Sequence, residues 1–363
     1  MVADLIAFVE KHLVPIHMHS DHSLGDGAQR AEDIAKRAAK LGRKACSLTD
    51  HGTMTGLYPF ERACKKHGIK PLHGCEIYVD ELGGTLDEIK AKNKELRKEN
   101  KGKEWTDADR VQSRSHLVLL AKNDIGYRNL VRLNNMAVRD RAIVTKKAVP
   151  LVTWAEISEL SEGLIASTAC VASKLASLAI QDNAAGFSAQ VSMMREVFGD
   201  DLFLELQLNS LDVQQKVNSW LLRESKAQRV PLVLGLDAHY QEKRDGLLRQ
   251  LIMASMYKGI RKREDFFDAN DRLIVDPDWN CWFKTPAEVV EAWEAYGGEI
   301  SESDFREAVL STSTIADRIS FTMGSLVTGY KMPEVPGDAD IQLRELVREG
   351  LRKRVEAGFI PEA

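Results

Sequence analysis

The sequence predicts an α/β fold: a sheet built by strand–helix alternation, with a metal site at the ends of its strands. Seven apolar, strand-like runs are separated for the most part by helical patterns. Histidines and carboxylates recur where those runs give way to turns, and two runs carry them at i, i+2 spacing. The alternation implies a parallel sheet, open or closed into a barrel. Donors at the C-terminal ends of the runs favour the barrel, because barrel chemistry gathers there.

The strand-like runs are 14–19, 44–49, 70–79, 116–121, 163–167, 202–207 and 230–236. Between them, 31–41, 56–67, 127–139, 171–180, 187–198 and 213–228 place apolar residues at three- and four-residue spacing, the mark of a half-buried helix. Residues 1–14 read as a short amphipathic helix interrupted by Asp4, Glu10 and Lys11, not as a signal peptide. No apolar run reaches membrane-spanning length, so a cytoplasmic protein without a membrane partner is expected. Residues 80–115 break the rhythm; their Glu and Lys charges nearly cancel, which favours a solvated helix or loop over a DNA-binding arm. Past Arg244 the alternation stops. Residues 245–256, 285–295, 303–319 and 341–356 read as helices around a loop-rich centre with Trp279 and Trp282. There is no internal repeat. The shift near Asp245 suggests a barrel domain over 1–245 and a smaller, mainly helical segment over 246–363.

Composition limits the function classes. The formal net charge of −4 creates no global field for nucleic acid, so metals and local patches must attract any DNA. The five cysteines (46, 64, 75, 170 and 281) are scattered, without the CxxC spacing of a structural zinc site. Most read as small buried thiols in a reducing compartment.

The donors carry the chemistry. His17 and His19 lie two apart on one run, and Asp237 and His239 have the same spacing on another. On a strand, i and i+2 share a face, so each pair aims two ligands at one spot. Asp26 before Gly27 reads otherwise as a turn residue or helix cap, and His51 in Asp50-His51-Gly52 as a loop residue. Glu76 lies within the apolar run 72–79, where a buried carboxylate is costly unless paired or metal-bound. His116 is the exception by position, because it begins its run instead of ending it. Nitrogen and carboxylate donors from several strand ends point to a multi-metal hydrolytic site.

The string His17-Met18-His19-Ser20-Asp21-His22-Ser23-Leu24-Gly25-Asp26-Gly27 resembles the opening motif of the PHP (polymerase and histidinol phosphatase) domain of bacterial DNA polymerase III alpha subunits. So do Leu48-Thr49-Asp50-His51-Gly52, Pro71-Leu72-His73-Gly74-Cys75-Glu76, His116-Leu117-Val118-Leu119, Leu204-Glu205-Leu206-Gln207 and Asp237-Ala238-His239-Tyr240. Order and spacing fit from about residue 14 to 245, and a weaker likeness to the lead into a polymerase palm continues through Phe283-Lys284-Thr285-Pro286 and Tyr330-Lys331-Met332-Pro333. The resemblance implies a distorted seven-stranded (β/α)7 barrel followed by the helical segment. It also implies two to three divalent metal ions (zinc, manganese or iron). His17, His19, Glu76 and Asp237 would hold the first. Glu76 would bridge to a second, held also by His116 and Cys170, and Asp26, His51 and His239 would hold a third.

Two departures from the family pattern stand out. Thr168-Ala169-Cys170-Val171 lacks the glycines usual beside the cysteine, so a loop shifted from the family's is expected there. The glycine-rich and aspartate motifs of the family's palm have no counterpart in these 363 residues, so no polymerase activity is expected from this chain alone. Either a shortened chain or one piece of a polymerase divided between genes fits that. The implied activity is metal-dependent 3′–5′ exonucleolytic proofreading during DNA replication. Asp237 or His239 would assist proton transfer. The implied partners are the primer 3′ end and the remaining polymerase portion or other replisome subunits. Arg30, Lys65, Lys66 and Arg128 could add phosphate contacts, though each reads first as an ordinary solvated cation. A phosphatase acting on a small phosphomonoester such as histidinol phosphate, and a non-catalytic module bracing a polymerase, are the alternatives.

Overall fold

The structure, a computed structural model, describes residues 2–81, 95, 114–138, 150–256, 281–326 and 336–359. The polar interruption of 80–115 and Trp279 fall largely outside these residues. The chain forms two compact units, Met1–Met323 and Gly324–Ala363. The boundary expected near Asp245 therefore lies inside the first unit.

The strands are β1 (Ala45–Leu48), β2 (Lys70–Asp80), β3 (Arg114–Ala121), β4 (Leu151–Val152), β5 (Leu164–Ser167), β6 (Leu202–Gln207) and β7 (Leu232–Gly235). They pair in the order β1-β2-β3-β5-β6-β7, with β4 beside β2. The seven are not the seven expected. β4 was not foreseen, and 14–19 is an extended segment without regular ladder pairing. Its Met18 bridges Ala238 in parallel on one side, and on the other the amides of Ser47 and Thr49 donate to the carbonyls of Pro15 and Met18 at 2.8 Å. It thereby ties the β1 edge of the sheet to the end of β7.

The sheet is mixed, not parallel. β3 runs antiparallel to both β2 and β5, while β1–β2, β2–β4, β5–β6 and β6–β7 are parallel. Reversal of β3 pairs His116 with Tyr78, near the C-terminal end of β2. A residue at the start of its own strand thus sits at the same end as residues that finish theirs.

Period-2 alternation divides the barrel interior into two layers. Val14, Ile16, Ala45, Leu72, Leu120, Ile165, Phe203 and Val233 form one buried cluster, with a contribution from 14–19 and from each strand except β4. One or two steps of two residues onward along the same strand faces come Glu76, His116, Ser167, Glu205 and Asp237. The apolar layer gives the barrel a dry floor, and the polar layer above it becomes the site.

Around the sheet lie α1 (Val2–His12), α2 (Ala31–Lys40), α3 (Leu57–His67), α4 (Asp124–Met136), α5 (Trp154–Glu159), α6 (Lys174–Ile180), α7 (Ala184–Phe198) and α8 (Asp212–Gln228). Their boundaries follow local chemistry. Asn123, Ser173 and Asn183 cap α4, α6 and α7 by accepting a backbone N–H, and Thr153 with Glu156 forms a capping box on α5. On α2, Ala31, Ile34, Ala35 and Ala38 are buried at helical spacing. Beyond β7 come α9 (Gly246–Met256), α10 (Pro286–Tyr296) and α11 (Glu302–Arg318). α11 packs on β7 and pushes Ile315 and Ala316 into the apolar floor, which is why the first unit extends past Asp245. In the second unit, α12 (Ala339–Glu356) is capped by Asp338 and leaves Leu343, Leu346, Val347 and Leu351 exposed.

Candidate metal centre

The nine donors singled out in the sequence converge. His17 and His19 arrive on the segment joining β1 to the end of β7, and their Nε2 atoms stand 3.0 Å apart. Asp237 Oδ1 lies 3.3 Å from each. Glu76 Oε2 lies 3.5 Å from His17 Nε2 and 3.2 Å from His19 Nε2. The same Oε2 is 2.7 Å from His51 Nδ1, while Oε1 is 2.7 Å from His116 Nδ1. Cys170 Sγ is 3.8 Å from both Glu76 Oε1 and His116 Nδ1. Asp26 faces His51 Nε2 at 3.6 Å and His239 Nε2 at 3.3 Å.

Hydrogen bonds behind the rings fix which nitrogen is offered. His17 Nδ1–H donates to Glu205 Oε1 at 2.7 Å, and His239 Nδ1–H donates to the carbonyl of Asp237 at 2.8 Å. His19 Nδ1–H donates to Ser23 Oγ at 3.1 Å; Ser23 in turn donates to Asp50 Oδ1 at 2.8 Å. Each Nε2 is thereby left with its lone pair toward the pocket, the tautomer that metal-binding histidines adopt. With both Nδ1–H groups committed, the two Nε2 atoms, 3.0 Å apart, can share one proton or ligate one cation. Asp26 Oδ1, Glu76 Oε2, Asp237 Oδ1, His51 Nδ1 and His239 Nε2 are buried without a hydrogen bond. Their partners are one another's charges, as for Glu76 Oε2 and His51 Nδ1 at 2.7 Å, a crowding of buried donors that suits ligands around a cation. The donor set fits divalent cations.

Electrostatics agree. Burial opposes ionisation of Glu76, yet His116, His51 and His17 hold its carboxyl well below the usual range. Asp26 and Asp237 are also held below it: burial opposes this, and His239 and His51 outweigh it at Asp26, as His17 and His239 do at Asp237. Burial works against a charged His51, but Glu76 and Asp26 raise it to about 10. His17 is likewise raised, against burial, by Glu205, Asp237 and Glu76. Burial and the neighbouring His19 lower His239. Carboxylates packed this densely require positive charge; protons on histidine supply it here, and metal ions displace such protons on binding.

The loop at Cys170 shows how the missing glycine is accommodated. Ala169 takes φ +58°, in the left-handed region that favours glycine, and Cys170 still reaches Glu76 and His116. Ala169→Gly is therefore expected to raise thermal stability by about 1 kcal/mol, the left-handed penalty less the extra chain entropy of glycine. Equal melting temperatures would count against strain at this position. Asp237 is also left-handed, at φ +47°, so a candidate ligand sits on a strained backbone.

Four supports of the centre were not foreseen from sequence. Glu205 pins His17, is bonded by Ser167 Oγ and accepts from Gln207 Nε2 at 2.9 Å. The signal was available, since Glu205 is a carboxylate inside an apolar run, as Glu76 is. Asp50 also receives the Ser20 amide at 2.6 Å and so shapes the loop that carries Ser23. Cys281 brings a further donor to within 4.8 Å of Asp237 and His239, and Arg249 contacts Asp26. All five cysteines are buried and free. Arg30, Lys65 and Lys66 pair with Asp33, Glu61 and Glu32 as ordinary surface cations do. The centre opens onto a cleft of about 870 Å³ lined by Asp26, His51, Tyr78, Arg114 and His116 among others.

Residues 15–209 match the family model described as PHP domain. The chain belongs to the PHP domain family. Curated relatives include the DNA polymerase III subunit alpha of Aquifex aeolicus (strain VF5), 31% identical over 361 residues, covering 96% of this chain and 28% of that protein. The protein of the same name from Borreliella burgdorferi (strain ATCC 35210 / DSM 4680 / CIP 102532 / B31) is 29% identical over 346 residues, covering 94% of this chain and 27% of that one. This PHP chain thus spans 28% or less of the length of these relatives. Among solved structures, an amidohydrolase from Chromobacterium violaceum aligns at 15% identity with a TM-score of 0.35, covering 62% of this chain and 87% of that one. No helix among the described residues is long and apolar enough to cross a membrane.

Proposed function

We propose that this PHP domain is a metal-dependent phosphoesterase that removes nucleotides from a DNA 3′ end, a 3′–5′ proofreading exonuclease. The observation that carries the reading is the clustering of His17, His19, His51, Glu76, His116, Asp237 and His239 at one end of the barrel, with Asp26 and Cys170 at their edge. The proposed ligands are His17, His19, Glu76 and Asp237 for one ion, with Glu76, His116 and Cys170 for a second. Asp26, His51 and His239 serve a third. Mixed nitrogen, oxygen and sulfur donors suit zinc, manganese or iron. Bound there, such ions polarise a phosphoryl group and lower the pKa of water.

The chain's own residues do the rest. Glu205 and Ser23 keep His17 and His19 in the ligating tautomer. Because His239 Nδ1–H is committed to a main-chain carbonyl, only its Nε2 can exchange a proton. That atom cannot ligate and accept a proton together, so proton handling falls to Asp237, or to His239 when the third position is empty. The buried walls limit competing water. The relatives are named DNA polymerase III subunit alpha, which supports DNA as substrate and the rest of such a polymerase, or other replisome subunits, as partners.

The test pairs two substrates: 5′-labelled primer–template and p-nitrophenyl phosphate, each with and without chelator. Wild type is expected to shorten the primer from its 3′ end, to stop with chelator and to recover with added manganese or zinc. His19→Ala and Asp237→Asn should each lose about a hundredfold or more, beyond the range for outer-shell residues. Turnover of the monoester alone would make the protein a small-molecule phosphatase. Inertness with no metal taken up would leave a bracing module.

A further inference from the structure

We infer that Arg249 is a tethered cation that competes with a metal ion for Asp26, making the third position of the cluster the exchangeable one. The inference rests on the metal-ion reading proposed above. Arg249 lies on α9, outside the strands, and is 2% exposed. Its Nη2 stands 3.4 Å from Asp26 Oδ2. The same Oδ2 is 3.3 Å from His239 Nε2, and Oδ1 is 3.6 Å from His51 Nε2. One of the three donors for the third ion therefore already faces a permanent charge.

The three positions differ in what an arriving ion must displace. Around Glu76 and Asp237 the nitrogen groups within ion-pair distance include the imidazoles of His17, His19, His51, His116 and His239. Imidazoles offer a ring nitrogen to a metal ion and become its ligands. A guanidinium neither deprotonates nor ligates, so Arg249 stays and repels. Asp26 cannot easily turn away, because its loop is closed by Gly27 N–H to Ser23 O at 2.8 Å and Ser23 N–H to Ser20 O at 2.9 Å. Burial likewise keeps Arg249 from following substrate into the cleft. The arrangement holds Asp26 in place when two ions are bound and weakens the site for the third. It also frees His239 Nε2 for the proton role in the two-ion state.

The experiment is titration of metal-stripped protein with Mn²⁺, and separately Zn²⁺, by calorimetry, with elemental analysis after dialysis. Wild type, Arg249→Gln, Arg249→Met, Arg249→Lys and Asp26→Asn are compared, with circular dichroism confirming the fold. Two tight steps and one weaker step are expected for wild type. Arg249→Gln and Arg249→Met should each tighten the third step about tenfold or more and leave the first two unchanged; either suffices if the other misfolds. Arg249→Lys keeps the charge and should behave as wild type, and Asp26→Asn should delete the third step. A third step unchanged or weakened in the neutral variants overturns the inference alone. No uptake by wild type overturns the metal reading and this inference with it.

Discussion

Glu76→Gln is expected to empty more of the centre than any other single substitution. Metal content should fall by two ions per chain, and exonuclease activity about a hundredfold or more, since loss of a direct ligand should exceed the 10- to 100-fold cost of losing an outer-shell partner. Glu76 has this weight because of where its two oxygens point. Oε1 faces His116 and Cys170, and Oε2 faces His51, His19 and His17. Glutamine keeps the shape but loses the charge and one acceptor, so neither ion retains a bridging anion. Asp237→Asn, whose Oδ1 faces His17, His19 and His239, should cost one ion. Elemental analysis of the two variants beside wild type checks this; equal loss in both would argue against a bridge at Glu76.

Gly235→Ala should damage the centre severely although Gly235 touches no metal. A Cβ there would meet Glu205 Oε1 at 1.8 Å and its Cδ at 2.4 Å, and Glu205 is clamped by His17, Ser167 and Gln207. Overpacking alone costs about 1–3 kcal/mol, and prising a buried charge from its partner about 3–5 kcal/mol. Melting temperature should fall, and metal affinity should drop about 10- to 100-fold as His17 loses its anchor. Glu205→Ala makes room for the new methyl group. In that background Gly235→Ala should add little, giving a large interaction energy in the double-mutant cycle. Simple additivity would show that the clash is not what Gly235 avoids.

Much of the site was legible because its signals are local. His17/His19 and Asp237/His239 announce themselves by i, i+2 spacing, and Glu76 by a carboxylate in an apolar run. Helices 31–41 and 213–228 were legible from apolar spacing, whereas the short helix capped by Thr153 was missed and the one capped by Ser173 starts three residues later than expected. His116 was misplaced by any argument from strand ends, because spacing does not reveal that β3 runs backwards. The segment 14–19 has the composition of a strand yet pairs by isolated contacts. Residues past Asp245 changed in composition without leaving the first compact unit.

The sequence by itself determined the donor chemistry, the apolar and polar alternation that layers the barrel, and most helix boundaries. Each depends on side chains within a turn or a few strand steps of one another. Tertiary structure alone decided the reversal of β3, the closure through 14–19, and the roles of Glu205 and Arg249. The last two depend on contacts between residues 188 and 223 positions apart. No local propensity encodes such pairings; they are fixed when the chain closes and the buried charges must find partners.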